Sequence, residues 1–384
     1  MIDFTFILIV FLIIAGINYI SLIIYFTIGW FKVKLFNSPK NSFKTKISIL
    51  IPFRNEEDNI LNCLECIIKQ NFPSHLMEII PIDDNSSDIS LEKVIKFKES
   101  NPDSNINIIE LKNLYQDKGS KKLAIREGIT HSTGELIITT DADCKMDNNW
   151  LKNIVSYYEK FKPCMIVAPV SFVKVKSVFG SIQHLEFLSL QSIGAAAVGI
   201  KHPVLANGAN LAYKKDSFFS VDGFKNDEDI ASGDDVFLLH QFQKKFPGSI
   251  HFIKSYDALV FSQPQKNLND FVNQRKRWAA KSKSYQDSFA KYIAISVFLF
   301  SLSLLSALIF TVYNPILLIC SGIFFAAKFV VDFPLLYLIT KFIKRKRLLL
   351  FFPFIELFYP IYVVFIAILG NFGSFEWKGR RIKQ

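Results

Sequence analysis

Two long stretches without a charged residue constrain this chain most. No charge occurs between Asp3 and Lys32 or between Lys291 and Lys328. Each stretch is longer than the roughly 20 apolar residues that cross the hydrocarbon core of a bilayer. A purely soluble enzyme is therefore excluded. A pure channel or transporter is excluded too, because residues 40–285 are mixed in polarity and long enough for a domain.

The first stretch, Phe4 to Phe31, predicts an uncleaved N-terminal anchor, because it is too long for a signal-peptide core and lacks a small-residue cleavage site. Tyr292 to Tyr313 and Pro315 to Thr340 predict a helical hairpin that turns at Asn314-Pro315.

A further apolar stretch, Leu348 to Gly370, is interrupted by Pro353, Glu356 and Pro360. Two interpretations stay open, a kinked span and a helix in the membrane plane. The predicted organisation is an anchor at 1–31, a basic linker at 32–45, a soluble domain at 46–285, membrane helices at 292–370 and a basic tail at 371–384.

The formal net charge of +11 is concentrated in three segments that contain no acidic residue. They hold Lys32, Lys34, Lys40, Lys44 and Lys46; Lys341, Lys344, Arg345, Lys346 and Arg347; and Lys378, Arg380, Arg381 and Lys383. Basic residues beside membrane spans face the cytoplasm and anionic lipid. We therefore expect a multi-pass protein of the cell inner membrane with a cytoplasmic soluble domain. No nucleic-acid partner is expected, because a binding domain would hold the excess charge itself.

The five cysteines are too few and too irregular for a disulfide framework. Cys63 and Cys66 form a C-x-x-C, but no second ligand pair follows at zinc-site spacing. We interpret them as helix-packing residues, and the six scattered histidines as structural.

Short apolar runs alternate with helical patterns in the soluble domain. The runs are Ile47 to Pro52, Glu78 to Ile82, Ile106 to Leu111 and Glu135 to Thr140, and the helical patterns cover 58–70, 90–100 and 121–130. This alternation predicts an α/β fold with a Rossmann-like, mostly parallel sheet and helices on both faces.

Polar clusters follow three of the predicted strands, where ligands bind in such sheets. They are Arg54-Asn-Glu56-Glu57, Asp83-Asp84 and Asp141-Ala-Asp143. Two carboxylates one residue apart can hold a hard divalent cation that also binds substrate phosphates.

An ordered series of motifs resembles the family 2 glycosyltransferases of GT-A fold, which use nucleotide-sugar donors. The likeness covers about residues 46–280. Its motifs are Ile47-Ser-Ile-Leu-Ile-Pro-Phe-Arg-Asn-Glu-Glu57, Ile82-Asp-Asp-Asn-Ser-Ser-Asp88, Lys121, Thr140-Asp-Ala-Asp143, Ser232-Gly-Asp-Asp235 and Gln274-Arg-Lys-Arg-Trp278. The membrane stretches resemble the integral-membrane branch that includes ceramide glucosyltransferases and polysaccharide synthases.

The resemblance implies a donor site around the strand ends. Asp83 and Asp84 match the acidic pair that holds the nucleoside, and Glu56 lies in the polar turn before them. Lys121 matches a lysine near the donor. Asp141 and Asp143 match the D-x-D motif, with Asp143 favoured as the direct ligand of Mg²⁺ or Mn²⁺.

The resemblance also implies an acceptor side. Asp235 matches the catalytic base, although Asp234 replaces the commoner Glu, so either Asp can be the base. Gln274, Arg277 and Trp278 match the Q-x-x-R-W motif near the diphosphate and the acceptor. Asn207 to Asn210 resembles a loop on the acceptor side. By itself, the Asp234-Asp235 pair fits a helix N-terminus better than a catalytic site.

The implied activity is metal-dependent, inverting transfer of a sugar from a UDP- or GDP-sugar to a lipid or lipid-linked glycan. Two alternatives stay open, a processive polysaccharide synthase and an inactive nucleotide-binding membrane scaffold. Outside the motifs, Lys328 and Asp332 lie four residues apart and can pair on one helix face. Glu356 needs no function if its segment lies in the membrane plane.

The charge pattern makes a topology prediction. Single cysteines that replace Lys34 and Lys344 should resist an impermeant thiol reagent in intact cells and react after lysis. The unmodified chain provides the background from its own cysteines. Labelling of either site in intact cells would contradict a cytoplasmic location.

Overall fold

The computed structural model describes residues 4–38, 42–115, 119–221, 223, 233–282, 287–371, 375–377 and 380–382. Lys40, Ser232, Lys378 and Lys383, named above, lie outside these residues. The chain forms two compact units. The sheet unit comprises Val33–Lys174 and Ala197–Pro264, and the helical unit comprises Met1–Lys32, Val175–Ala196 and Gln265–Gln384. Residues 175–196 and 265–282, which the sequence analysis assigns to the soluble domain, belong to the helical unit in this division, and the predicted domain boundaries stay a prediction.

Among the described residues, the helices are α1 (Phe4–Lys32), α2 (Ile60–Ile68), α3 (Ser90–Glu99), α4 (Leu111–Tyr115), α5 (Lys121–His131), α6 (Trp150–Phe161), α7 (Val178–Gly199), α8 (Lys215–Ser220), α9 (Asp234–Lys245), α10 (Leu268–Ser282), α11 (Ser288–Ile309), α12 (Ile316–Phe342) and α13 (Phe352–Asn371). The strands are β1 (Ile47–Phe53), β2 (Met77–Asp83), β3 (Ile109–Glu110), β4 (Leu136–Thr139), β5 (Lys145–Met146), β6 (Met165–Val167), β7 (Val170–Phe172), β8 (Leu211–Lys214), β9 (Ile250–Phe252), β10 (Val260–Ser262), β11 (Phe375–Trp377) and β12 (Arg380–Ile382).

The sheet unit is built on a seven-stranded sheet of order β3-β2-β1-β4-β8-β6-β9. Strand β1 pairs in parallel with β2 and β4, whereas β8 runs antiparallel to both β4 and β6. The predicted mostly parallel α/β fold is confirmed. A smaller sheet of order β5-β10-β7 completes the unit. The third predicted strand, Ile106 to Leu111, is too long, because only Ile109–Glu110 is a strand and Leu111 already begins α4.

Apolar residues on both faces explain why β1 lies at the centre of the sheet. Ile49, Leu50 and Ile51 are fully buried, so the strand shows no alternation of polar and apolar residues. In register, Phe53 lies beside Asp83 of β2, and Leu50 lies beside Thr139 of β4. The polar residues that follow these strands therefore share one edge of the sheet.

Among its described residues, the helical unit has four helices that are long and apolar enough to cross a membrane, Phe4–Lys32, Ser288–Val312, Ile316–Phe342 and Lys346–Gly370. Helix α1 packs against α11 and α12. The predicted hairpin is confirmed, since α11 and α12 are joined through Asn314-Pro315. The fourth apolar stretch forms a short 3₁₀ segment, Lys346–Phe351, followed by α13.

Charged side chains lie inside this apolar unit. Nζ of Lys328 contacts Oδ2 of Asp332 at 2.7 Å and also contacts the carboxylate of Glu356. The hydroxyl of Tyr19 donates to Oδ2 of Asp332 at 2.7 Å. We call Lys328, Asp332 and Glu356 the charged cluster. The predicted Lys328–Asp332 pair is confirmed, and Glu356 is its third member.

Candidate active site

The turns after β1 and β2 hold each other in place. Asn55 (φ 51°) and Asn85 (φ 58°) adopt the left-handed conformation, which Asn tolerates better than most residues. Oδ1 of Asn55 accepts a hydrogen bond from the backbone N–H of Ser87 at 2.8 Å. The backbone N–H of Glu56 donates to Oγ of Ser90 at 2.8 Å. These bonds join the two polar turns into one surface at the sheet edge.

Asp83 and Asp84 end β2 as buried acids. The carboxylate of Asp83 accepts from the backbone N–H of Ser86 at 3.1 Å. Burial raises the pKa of the Asp83 carboxyl, and the hydrogen bonds from Ser86 oppose that rise. The backbone of Asp84 bridges the strands, because its N–H donates to the oxygen of Phe53 at 2.8 Å and its own oxygen accepts from Nη1 of Arg54 at 2.7 Å.

Glu56 lies in the first of these turns. Its Oε2 accepts from Nδ2 of Asn59 at 2.8 Å, within the turn that leads into α2. The predicted role of Glu56 in donor binding stays a prediction.

The ammonium of Lys121 joins two of the predicted motifs. Lys121 is the first residue of α5, where Oγ of Ser120 caps the helix by accepting from the N–H of Leu123 at 3.2 Å. Its Nζ lies 2.5 Å from Oδ1 of Asp141 and 3.7 Å from Oδ2 of Asp234. Burial alone would lower the pKa of Lys121, but the neighbouring carboxylates outweigh burial and raise it. Lys121 therefore stays protonated.

Asp234 and Asp235 begin α9 but have different surroundings. Asp234 is buried beside Lys121, whereas Asp235 is half-buried. Oδ2 of Asp235 accepts from the backbone N–H of Gly208 at 3.2 Å, and Oδ1 accepts from the N–H of Val236 at 2.8 Å. A side chain at 208 would fit tightly, since its Cβ would lie 3.1 Å from Oδ2 of Asp234 and 3.2 Å from Nζ of Lys121.

Asp143 lies on the other side of the D-x-D turn. Its Oδ2 accepts from Oγ of Ser262, at the end of β10, at 3.1 Å. The turn rests on buried Cys63, whose thiol donates to the backbone oxygen of Asp141 at 3.6 Å. Burial raises the pKa of the Cys63 thiol, as expected for a packing residue rather than a reactive one.

The donor atoms of this turn suit a hard divalent cation. Across the part of the chain that the structure describes, no cluster of three or more His, Cys, Asp or Glu side chains could hold a metal ion. Mg²⁺ commonly takes only one or two protein carboxylates and completes its shell with phosphates and water. Asp141 and Asp143 meet that requirement by number and type of donor, and Nζ of Lys121 already contacts Oδ1 of Asp141.

The Q-x-x-R-W residues Gln274, Arg277 and Trp278 belong to α10 of the helical unit. Oε1 of Gln274 accepts from Nη1 of Arg275 at 2.5 Å, and the Arg275 guanidinium lies 4.2 Å from the centroid of the Trp278 ring. The predicted site residues did not include Arg275, although it stands inside the motif. They did not include Glu186, the ion-pair partner of Arg275, either.

The loop from Asn207 to Asn210 divides into two parts. Gly208 contacts Asp235, as described above. Asn210 is buried, and its side chain bonds to Nε1 of Trp150 at 3.0 Å and to the backbone oxygens of Pro169 and Ala258 at 2.8 Å. Asn210 therefore holds the loop against the rest of the sheet unit.

The fold is similar to a solved structure, the mannosyltransferase PcManGT from Pyrobaculum calidifontis in complex with GDP-Man and Mn²⁺. The TM-score is 0.57 with 19% sequence identity, and the match covers 91% of this chain and 99% of that chain. At this identity the likeness is one of fold. The mixed sheet thus has the GT-A fold.

Family comparisons define the class further. The family described as Glycosyl transferase family group 2 matches residues 136–372, and Glycosyl transferase family 2 matches residues 48–218. The first match covers more than half of the chain. The chain therefore belongs to the family 2 glycosyltransferases, as the motif series implies.

Two curated relatives match part of the chain. One is the dolichyl N-acetyl-alpha-D-glucosaminyl phosphate 3-beta-D-2,3-diacetamido-2,3-dideoxy-beta-D-glucuronosyltransferase of Methanococcus voltae, 29% identical over 45% of this chain and 50% of the relative. The other is the poly-beta-1,6-N-acetyl-D-glucosamine synthase of Staphylococcus epidermidis, 26% identical over 61% of this chain and 53% of the relative. The chain thus spans about half the length of these relatives.

The Lys121 contacts make a stability prediction. Lys121→Met leaves Asp141 and Asp234 without their shared cation, so the fold must hold two neighbouring carboxylates with no counter-charge. Protonation relieves such repulsion at low pH, so the loss of stability grows as pH rises. We expect a loss of up to about 3 kcal/mol near neutral pH, less than for a fully buried pair, because the Asp141 side chain is 36% exposed.

The measurement is the Tm of the wild type and of Lys121→Met from about pH 5 to about pH 8. The difference between the two Tm values should grow as pH rises. Lys121→Arg keeps the positive charge and serves as the control. An equal deficit at every pH would contradict the electrostatic explanation.

Proposed function

We propose that this chain is a membrane glycosyltransferase that moves a sugar from a UDP- or GDP-sugar to a lipid or lipid-linked glycan. The observation that carries the proposal is the contact of Lys121 with both Asp141 and Asp234, because it brings the donor-side and base motifs together. Asp83 and Asp84 end the strand next to β1 at the same sheet edge.

In this proposal, a few residues at the sheet edge bind the nucleotide-sugar donor. Asp83 and Asp84 accept hydrogen bonds from the nucleoside, and Asp143 together with Asp141 holds Mg²⁺ or Mn²⁺. When bound, such a metal neutralises charge on the diphosphate leaving group. Lys121 is a permanent cation that sets the orientation of the Asp141 carboxylate.

Asp235 is the base in this proposal. Asp234 is buried against Lys121 and is therefore a poor proton acceptor, whereas Asp235 is half-buried at the start of a rigid helix. The Gly208 N–H holds one oxygen of Asp235 in place. Asp235 removes the proton of the acceptor hydroxyl as that oxygen attacks the sugar carbon. One displacement without a protein nucleophile inverts the configuration at that carbon.

The acceptor is a membrane component in this proposal. Four helices of sufficient length and apolarity favour a multi-pass inner-membrane enzyme whose catalytic domain faces the cytoplasm. The name of the Methanococcus voltae relative favours a lipid-linked acceptor. The Staphylococcus epidermidis relative favours the second candidate, a processive polysaccharide synthase.

A donor screen tests the proposal. The purified chain in lipid vesicles is incubated with UDP- and GDP-sugars, and nucleotide release is followed before the labelled product is sized. One sugar added per acceptor supports single transfer, and a long polymer supports the processive synthase. Nucleotide binding without turnover of any donor would favour the inactive scaffold and refute the proposal.

The base assignment makes a kinetic prediction. Asp235→Asn keeps the size of the side chain and removes its basicity. Because a positioned base contributes about 10²- to 10⁴-fold, the rate of nucleotide release should fall by that order. Donor affinity, measured by calorimetry, should change little.

Two further variants control this measurement. Asp234→Asn should cost less catalytic rate than Asp235→Asn, and the reverse order would make Asp234 the base. Asp216→Asn changes an exposed acid in the first turn of α8, outside the site, and should keep the wild-type rate.

A further inference from the structure

Arg275 is a buried cation in the middle of α10. Only 2% of the residue is exposed. Its Nε donates to Oε1 of Glu186 on α7 at 3.1 Å, and its Nη2 contacts Oε2 of the same carboxylate. This two-point contact fixes the plane of the guanidinium.

The same guanidinium touches two residues of the Q-x-x-R-W motif. Nη1 donates to Oε1 of Gln274 at 2.5 Å. The guanidinium carbon lies 4.2 Å from the centroid of Trp278 and 4.5 Å from that of Phe271. Residues three or four positions apart share one face of a helix, so Arg275 lies between the two rings along α10.

Glu186 is itself held from another helix. The hydroxyl of Tyr362 on α13 donates to Oε1 of Glu186 at 2.9 Å. Near the start of α10, Gln183 of α7 exchanges two hydrogen bonds with the backbone of Gln265, at 3.0 and 3.1 Å. Helices α7, α10 and α13 therefore fix the position of one carboxylate.

The Arg275–Glu186 pair contributes more to the orientation of the side chains around it than to the stability of the fold. A buried ion pair adds little net stability compared with apolar side chains of the same size. The pair does fix the orientation of the guanidinium, because a planar group that is hydrogen-bonded on two sides and stacked on aromatic rings has few other orientations.

We propose that Arg275 is a positioning residue, which holds the Gln274 amide and the Trp278 ring in the orientation used for transfer, and that Glu186 fixes Arg275. This inference rests on the proposed function and on the motif resemblance, which implies that Gln274, Arg277 and Trp278 act near the diphosphate and the acceptor.

The test uses the full chain in lipid vesicles and three variants. Arg275→Lys keeps the charge and loses the planar fork. The double variant Arg275→Met, Glu186→Leu removes both charges, so it remains informative if the single variant does not fold. Asp332→Asn weakens the charged cluster, another buried ion pair of the helical unit, and is the control for general loss of stability.

Two readouts are measured besides Tm. The first is kcat and donor KM for nucleotide release. The second is the fluorescence anisotropy of Trp278, taken as the difference between each protein and its Trp278→Phe counterpart. We expect Arg275→Lys and the double variant to lower kcat by about 10²-fold, the effect of a small misplacement. Donor KM should change little, and Trp278 anisotropy should fall. Asp332→Asn should lower the Tm while keeping kcat and the Trp278 anisotropy.

Three results would overturn the positioning role of Arg275. A wild-type kcat in Arg275→Lys or in the double variant overturns the inference. So does an unchanged Trp278 anisotropy, or a kcat loss in Asp332→Asn equal to that of Arg275→Lys at the same Tm. If the wild-type chain turns over no donor, the proposed function fails, and the Trp278 anisotropy alone decides whether Arg275 holds the ring.

Discussion

The candidate active site depends on one partly buried cation. Lys121 contacts Asp141, which follows β4, and Asp234 at the start of α9, and Gly208 lies close to both Lys121 and Asp234. Without the ammonium, these two carboxylates would face each other with no counter-charge. With it, they share one cation at a sheet edge that also presents Asp83 and Asp143. The capped start of α5 holds the lysine, so a helix terminus sets the geometry of the Asp141-Ala-Asp143 turn and of the start of α9.

The helical unit contains two buried cations that are also paired with carboxylates. Arg275 and Lys328 are almost completely buried, and each contacts a glutamate from another helix and an aromatic ring, Trp278 for the arginine and Tyr359 for the lysine. Apolar surfaces alone pack in many registers, because apolar contacts have little directionality. A buried charge that must contact an oppositely charged side chain allows far fewer packing registers between helices. The polar contacts therefore select one arrangement of α7, α10, α12 and α13 within this unit.

Much of the sheet unit could be predicted from the sequence. Strands β1, β2 and β4 are continuous apolar runs because both faces are buried, and the acids that follow them mark their ends. The contacts that organise the site could not be predicted, because Lys121 and Asp234, or Glu186 and Arg275, have no characteristic spacing in sequence. The motif resemblance named Lys121 and Asp234 separately, whereas Glu186 belonged to no motif. Lys328 and Asp332 were recognisable because four residues make one helical turn, and Glu356 was not, since it comes from the next helix.

The charged cluster also bears on how the chain is made. In the proposed membrane protein, α12 precedes α13 in the chain, so Lys328 enters the bilayer before Glu356 does. A lysine at the centre of an inserting helix costs about 2.5–3.5 kcal/mol. At that moment its carboxylate partner is Asp332, whose second contact, the Tyr19 hydroxyl, is already present in α1. Newly inserted α12 should thus stay beside α1 until α13 arrives, and the last helix completes the bundle by supplying the missing carboxylate.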